Sequence, residues 1–453
     1  QIAHEGTNVV VTVDCGITAI DEALEARRLG MELIVTDHHE MKAELPAADV
    51  LVHPRLPGGD YPFGGLSGSG VALKLAWEVC KQVSGSDKVS PRLREFLLDA
   101  VAHAALGLIA DVVPLHDENR ILVKHGLSRM RTAPPVGVAA LLEVCGIEAG
   151  KPVCAEHVAF KLAPRLNAAG RLGCARLVVE LLTTTDARKA KELAAYLDGQ
   201  NRERQALERK IVAHARETLE ASPHFDLPAI VLASDEWHPG VIGIVAGRLA
   251  DQYGKPTLLI SSRGDPSSGS GRSIPGFALH SALSACDDLL ISHGGHAAAV
   301  GFRVALHRID ELRERFAAHA AKHFPVGVPA PRLVLDAELP LSSLTFGLLK
   351  EIDRLEPYGA ENRRPKFLAG GLQIVGEPKR IGGGERHLSF RVKQAGNATR
   401  AIAFGMGDRA EELMSAGGQC CVAFTPRINE WNDMRSVEIE VADFQAGATA
   451  RLI

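Results

Sequence analysis

Residues Asn8-Val-Val-Val-Thr-Val13 run straight into Asp14-Cys15-Gly16, and residues Glu32-Leu-Ile-Val-Thr36 run straight into Asp37-His38-His39. Both runs are rich in β-branched residues and read as buried strands, while the segment from Ile17 to Leu29 between them has helical spacing. Strand, helix, strand is a βαβ unit, and its two strands must be parallel. In a parallel α/β sheet the crevice beyond the carboxyl ends of the strands is where ligands bind. The spacing therefore predicts that Asp14 and the Asp37-His38-His39 group face one cleft. A third apolar run, Ala104-Ala-Leu-Gly-Leu-Ile-Ala110, ends in Asp111 and is expected to bring another acid to a strand tip.

Outward from this unit, the chain changes character in steps. From Asp186 to about Ala221 it is rich in Ala, Lys, Glu and Arg, lacks proline, and spaces Leu193, Leu197, Leu207 and Ile211 as one face of a long helix. Arg202, Arg204, Arg209 and Lys210 alternate there with Glu203 and Glu208, the pattern of a solvated face carrying i,i+4 ion pairs. A second α/β segment opens at Pro228-Ala-Ile-Val-Leu-Ala233, continues through Trp237-His-Pro-Gly240 and a helix from Val241 to Tyr253, and closes with a helix near His323. Beyond the proline-rich stretch 325–331, short alternating strands such as His387-Leu-Ser-Phe-Arg-Val392 and Val437-Glu-Ile-Glu-Val441 suggest a small β-barrel.

The chain has 453 residues, 46% hydrophobic and 23% charged, which suits three or four soluble domains and excludes wholesale disorder. Lys+Arg 51 against Asp+Glu 55 gives a net charge of -4, so contact with a polyanion must come from local basic patches. The eight cysteines show no C-x-x-C spacing, and the adjacent Cys420 and Cys421 make a poor disulfide, which fits a reducing cytosol. No apolar run approaches the ~20 residues that cross a bilayer, and Gln1-Ile-Ala-His4 is neither a signal peptide nor a start methionine.

Carboxylate oxygens combined with imidazole nitrogens suit Mn²⁺ or Mg²⁺, and no thiolate set competes for a softer ion. Taken singly, an Asp at a strand end is more often a helix N-cap than a ligand. Two adjacent histidines after an Asp at the tip of a buried strand serve no packing need, and they shift the balance toward a metal centre. If Asp14 and Asp111 are the resident anions, two divalent ions are under-compensated, which points to further acids upstream of Gln1.

Val13-Asp14-Cys15-Gly16, Val35-Thr36-Asp37-His38-His39 and Leu106-Gly-Leu-Ile-Ala-Asp111-Val-Val-Pro-Leu115 resemble, in order, metal-site motifs of the Asp-His-His (DHH) phosphoesterase superfamily. Pro164-Arg165-Leu-Asn167-Ala-Ala-Gly170-Arg171, Gly271-Arg272-Ser273 and Gly294-Gly295-His296 narrow the resemblance to the RecJ family of single-strand-specific DNA exonucleases. It spans nearly the whole chain. The implied architecture is α/β: a parallel-sheet DHH domain (1–185), a connector helix (186–221), a smaller DHHA1-type α/β domain (222–325) and an oligonucleotide-binding (OB) β-barrel (332–447).

The resemblance implies Asp14, His38 and Asp111 as metal ligands, His39 as ligand or phosphate contact, and Asp37 as the residue orienting His38 by hydrogen bonding. It implies a two-metal site for Mn²⁺ or Mg²⁺, with hydrolysis of single-stranded DNA from 5′ to 3′ into mononucleotides in repair and recombination. Arg165, Asn167, Arg171, Arg272, Ser273, Gly294, Gly295 and His296 are the implied substrate contacts. Arg165 and Arg171 have a bland alternative as structural arginines paired to a carboxylate, and Gly294 to His296 as a glycine turn with a solvent-facing histidine. Lys379, Arg380, Arg386, Phe390 and Trp431 are candidate strand contacts in the barrel. The family's first motif, an Asp-x-Asp strand end, has no counterpart here and is expected upstream of Gln1, where activity would depend on it. Partners on this reading are single-stranded DNA, with a helicase and a single-strand-binding protein as possible loaders, in the cytoplasm and away from membrane. Two other functions fit the same residues: a phosphodiesterase acting on short oligonucleotides or cyclic dinucleotides, and a catalytically inert single-strand-binding module.

Overall fold

The computed structural model describes residues 1–171, 173–325, 327–328, 332–415, 417–431 and 434–447, and of Trp431 the backbone alone, so that side chain lies outside the described residues. The chain divides into two compact units, residues 1–134, 152–159 and 333–453 in one and residues 135–151 and 160–332 in the other.

The first unit begins with β1 (Val9–Val13), α1 (Ile20–Arg28), β2 (Glu32–Thr36) and β3 (Val50–Val52), in a parallel sheet of order β1-β2-β3. The register levels the strand tips, because Val13 stands opposite Thr36 and Thr36 opposite Val52. The residues that follow, Asp14, Asp37 and His53, therefore leave the sheet at one edge. Ala23 and Ala26 of α1 close over Leu33 and Val35 as a small core.

Three helices follow, α2 (Gly68–Ser84), α3 (Pro91–Ala110) and α4 (Asp117–Thr132). The expected third strand, Ala104 to Ala110, is instead the C-terminal half of α3, whose Ala102, Ala104, Ala105, Leu106, Leu108 and Ile109 are buried. A short run that is apolar throughout carries no period to separate strand from buried helix. Here the length of the element, with Pro91 pre-set at its first turn, decides for helix. Small residues allow close packing: a Cβ on Gly107 would stand 2.2 Å from Ser69 Oγ, and one on Gly126 2.3 Å from the Ala105 Cβ.

The second unit holds α5 (Val136–Val144). After the three-residue α6 (Ala155–His157), which belongs to the first unit, come α7 (Ala163–Arg171), α8 (Ala175–Thr183) and α9 (Ala187–Glu220). Asp186 caps α9 by accepting from the Arg188 and Lys189 amides, and its 34 residues make it about 50 Å long. A mixed sheet of order β4-β5-β6-β8-β7 follows, from β4 (Ile230–Ser234), β5 (Thr257–Ser261), β6 (Ser267–Arg272), β7 (Leu290–Gly295) and β8 (Ala299–Val304). Helix α10 (Pro239–Tyr253) lies between β4 and β5 in the chain, and α11 (Leu279–Ser284) and α12 (Ile309–His323) come later. Both faces of the sheet are covered. Leu258 and Ile260 enter a core with Phe277, Leu312 and Phe316, while Leu259 enters another with Trp237, Val245 and Ile211 of α9.

The remainder of the first unit is a seven-stranded sheet with two short helices. Its strands are β9 (Ala337–Glu338), β10 (Phe367–Ile374), β11 (Lys379–Ile381), β12 (His387–Gln394), β13 (Asn397–Ala403), β14 (Gln419–Trp431) and β15 (Met434–Ala446), with α13 (Phe346–Asp353) and α14 (Ala410–Met414). The order β12-β13-β15-β14-β10 curls until β10 and β12 meet over two residue pairs, Gln373 with Lys393 and Ile374 with Val392. The curled sheet encloses Leu372, Leu388, Phe390, Val392, Val422, Phe424 and Phe444. Phe390 is 3% exposed, so this candidate stacking residue is core instead. Its alternation with polar neighbours along β12 is the inward face of the curl.

Candidate metal centre

At the sheet edge the backbone turns sharply. Asp14 has φ 63, its amide donating to the Thr36 carbonyl at 3.0 Å, and Val112, just after Asp111, has φ 58. A left-handed conformation is uncommon for Asp and costly for a β-branched residue, and such positions collect at functional sites. Gly16, at φ 111, completes the first turn, and a side chain there would also meet Thr12 Oγ1.

Asp37 is 1% exposed and organises the neighbouring groups. Its Oδ2 accepts from the Ile17 amide at 3.0 Å, and its Oδ1 from the His38 amide at 2.7 Å, the His39 amide at 3.2 Å and the His39 ring Nδ1 at 2.6 Å. Burial opposes its ionisation, but these donors outweigh it and hold the carboxyl below the usual carboxylate range.

The resemblance has Asp37 orient the His38 ring, but from His38 it accepts only the amide and it takes the His39 ring instead, while the His38 ring turns the other way. Its Nε2 lies 3.1 Å from Asp14 Oδ1 and 3.4 Å from Asp111 Oδ2. Asp111 reaches the cluster from the C-cap of α3, not from a strand tip. The Asp14 carboxylate beside it raises the affinity of His38 for a proton, burial opposes it, and Asp111 adds to it. Burial and the nearby Asp14 push the Asp111 carboxyl upward. Donor atoms of Asp14, His38 and His39 all lie within 4.8 Å of one another.

These residues fit a divalent ion. His38 Nε2 is buried and, despite the two carboxylates beside it, makes no well-directed hydrogen bond. A cation drawing on two carboxylate oxygens and an imidazole nitrogen would resolve that arrangement, and the donor set is hard, with no cysteine sulfur.

Two residues escaped sequence reasoning. A Cβ on Gly68, at the start of α2, would stand 2.1 Å from Asp14 Oδ1, so the carboxylate rests on bare backbone. His53, which follows β3, is 7% exposed and its Nε2 meets the His39 carbonyl at 2.9 Å. Neither role has a local signal, since both arise from segments far apart in sequence. Asp99, by contrast, is paired with Arg129 at 2.8 Å.

The expected substrate contacts all lie in the second unit. Arg165 is engaged by Asp198 through two 2.9 Å contacts and donates to the Lys161 carbonyl at 2.7 Å. Asn167 is exposed on α7. Arg171 donates to the Gly240 carbonyl at 3.2 Å, and Arg272 donates to the Gly271 carbonyl at 2.7 Å and to Ser270 Oγ at 3.4 Å. Desolvation and mutual repulsion weaken proton affinity in this pair: Arg204 acts on Arg171, and Arg171 on Arg272. No ion pair is found for either among the described residues. Ser273 Oγ instead closes a turn onto the Phe277 carbonyl at 2.5 Å, which makes Ser270 the hydroxyl beside Arg272. Gly294 and Gly295 end β7, and the His296 amide donates to the Ala299 carbonyl at 2.9 Å, leaving its imidazole exposed. Trp237-His-Pro-Gly240 is a capped turn in which His238 Nδ1 accepts from the Gly240 amide.

The connector also departs from its sequence reading. Arg204 and Glu208 are buried, joined at 2.8 Å, and Arg248 approaches the same carboxylate. The solvated-face expectation holds for Arg202, which is exposed, and fails for the pair whose one-turn spacing faces α10.

A parallel sheet with an Asp-His-His tip, a mixed α/β domain and a curled β-sheet define a DHH-type phosphoesterase architecture. The family models agree: "DHH family, N-terminal domain" matches residues 2–105, "DHHA1 domain" residues 226–322 and "RecJ OB domain" residues 335–443. Single-stranded-DNA-specific exonuclease RecJ of Dickeya dadantii is 34% identical over 457 residues, covering 97% of this chain and 77% of that protein. The RecJ of Bacillus subtilis is 35% identical over 445 residues, 98% of this chain and 54% of that one. The crystal structure of RecJ in complex with Mn²⁺ from Thermus thermophilus superposes with a TM-score of 0.84 at 36% identity, covering 98% of this chain and 63% of that one. The chain belongs to the RecJ family. It spans about half the length of the Bacillus subtilis relative.

Proposed function

We propose that this chain carries the catalytic core of a metal-dependent 5′ to 3′ exonuclease that hydrolyses single-stranded DNA to mononucleotides. The observation that carries the proposal is the buried His38 Nε2 set between the Asp14 and Asp111 carboxylates. Its relatives are named single-stranded-DNA-specific exonucleases, and the structure it superposes on was solved with Mn²⁺.

Asp14, His38 and Asp111 would hold Mn²⁺ or Mg²⁺, with His39 as a further ligand or a phosphate contact. When bound, the ion supplies a Lewis acid that lowers the pKa of water and neutralises phosphodiester charge. Two carboxylates balance one divalent ion, so a second ion of a two-metal site draws on additional anions. Asp37 orients His39 through Nδ1 and leaves its Nε2 for metal or phosphate. Arg171, Arg272 and Ser270 form a cationic seat in which neither arginine has an ion pair among the described residues, suited to a strand phosphate, and His296 offers an exposed donor. On the curled sheet, Lys379, Arg380 and Arg386 are exposed near Phe404, which is 56% exposed and edge-on to His387 at 5.3 Å. Such a surface holds a single strand by charge and stacking.

No helix among the described residues is long and apolar enough to cross a membrane, none of the eight cysteines is joined in a disulfide, and a cytoplasmic location belongs to this proposal. Loading by a helicase or a single-strand-binding protein belongs to the same proposal.

The test is Mn²⁺-dependent digestion of 5′-labelled single strands, duplexes and dinucleotides, in a version extended through the Asp-x-Asp strand end that the family resemblance implies. Single strands are expected to yield mononucleotides from the 5′ end, and His38→Ala and His39→Ala to abolish this. Digestion persisting in His38→Ala, or confined to dinucleotides, overturns the assignment.

A further inference from the structure

The two histidines of the site sit on consecutive peptide units, and both carbonyls are gripped by one short segment. His53 Nε2 meets the His39 carbonyl at 2.9 Å, and Arg55 Nη2 donates to the His38 carbonyl at 2.8 Å. The segment is closed on itself, because the Arg55 amide donates to His53 Nδ1 at 3.0 Å, and Arg55 Nη1 lies 3.1 Å from Glu40 Oε1.

The network assigns the imidazole. A carbonyl only accepts, so Nε2 carries the hydrogen; an amide only donates, so Nδ1 is bare. Position 53 therefore needs a side chain that accepts at Nδ1 and donates at the reach of Nε2; neutral histidine does both, the glutamine amide reaches the second position, and aliphatic residues do neither.

Asp37 fixes the opposite side of the same turn, accepting from the His38 and His39 amides. The pleat supplies the placement: Val52 stands opposite Thr36, so His53 emerges level with Asp37. Neither contact from the segment goes to core backbone. Both go to the peptide units that carry the imidazoles.

We propose that His53, with Arg55, is a positioning element that sets how the His38 and His39 rings present to a divalent ion. This rests on the metal-site reading above. Groups behind the ligands of a metal site typically change its affinity by about 10- to 100-fold when removed.

The experiment is Mn²⁺ titration of the whole chain, following the electron-paramagnetic-resonance signal of free Mn²⁺, for the unmodified protein and for His53→Leu, His53→Gln and Arg55→Ala, with melting temperatures alongside. His53→Leu is expected to weaken Mn²⁺ binding by about tenfold or more, and Arg55→Ala by a few-fold, about threefold. His53→Gln, which keeps a donor at the reach of Nε2, should restore affinity to within about threefold. A purely structural role would lower the melting temperature of His53→Leu and leave affinity unchanged, and that result overturns the proposal. So does His53→Gln binding as weakly as His53→Leu. Should His53→Leu fail to fold, Arg55→Ala decides, since its side chain is 44% exposed: unchanged affinity there rejects the positioning role. Failure of the unmodified chain to take up Mn²⁺ overturns the metal site itself, and this inference with it.

Discussion

Gly68 leaves the Asp14 carboxylate the space that a side chain would take, for a Cβ on Gly68 would stand 2.1 Å from Asp14 Oδ1. The first turn of α2 is thereby the wall against which the acid is set. Gly68→Ala is expected to push the carboxylate off His38 Nε2, weakening Mn²⁺ binding at least about tenfold, while overpacking costs about 1–3 kcal/mol of stability. Mn²⁺ titration and urea unfolding read the two effects separately. Unchanged Mn²⁺ affinity would show that Asp14 is not a ligand.

The Arg204 and Glu208 pair gives a second test. Glu208 is 2% exposed and receives Arg204 and Arg248. Glu208→Ala strands a buried guanidinium and should cost about 3–5 kcal/mol in urea unfolding, whereas exchanging both partners for Arg204→Met with Glu208→Leu should recover most of it. Equal destabilisation by the single and double changes would mean that the charge pair is not what matters there.

How much of this was visible in the sequence depends on whether the cause is local. The tips at Asp14 and at Asp37 to His39 were legible because a β-branched run ending on reactive side chains is itself the signal, and Asp186 marked the start of α9 by its capping chemistry. Asp111 was found for a mistaken reason: it comes to the site from a helix end, and the uniformly apolar run before it concealed the period. Gly68, His53 and Ser270 were not legible, because each acts through a neighbour that only the tertiary fold supplies. Phe390 alternates with polar neighbours whereas Phe404 ends the apolar run Ala401-Ile-Ala, and the curl of the sheet decides that the first is inside and the second outside.

Burial and the repulsion of Asp353, partly offset by Arg364, raise the pKa of Glu356. An acid with a raised folded pKa costs stability in its ionised form, so the protein loses stability as pH climbs through the ordinary range of this carboxyl, about 4.3, toward the shifted value. Glu356→Gln removes that charge. It should raise the melting temperature at pH 7 by about 1–2 °C, and the gain should vanish below about pH 4. A gain of the same size at both pH values would mean that charge is not its source.

The two phenylalanines separate stability from strand binding. Phe390 is 3% exposed within the core of the curled sheet, so Phe390→Ala should cost about 3–5 kcal/mol in unfolding experiments. Phe404 is 56% exposed, edge-on to His387. Its removal uncovers little beyond His387 and should leave the melting temperature within about 1 °C. If bases stack there, each contact is worth about 1–3 kcal/mol, so Phe404→Ala should weaken binding of a single-stranded oligonucleotide about tenfold, measured by fluorescence anisotropy without divalent metal to prevent cleavage. The remaining affinity would come from Lys379, Arg380 and Arg386 and should fall steeply with salt. Wild-type affinity in Phe404→Ala would exclude this face of the sheet as the stacking surface.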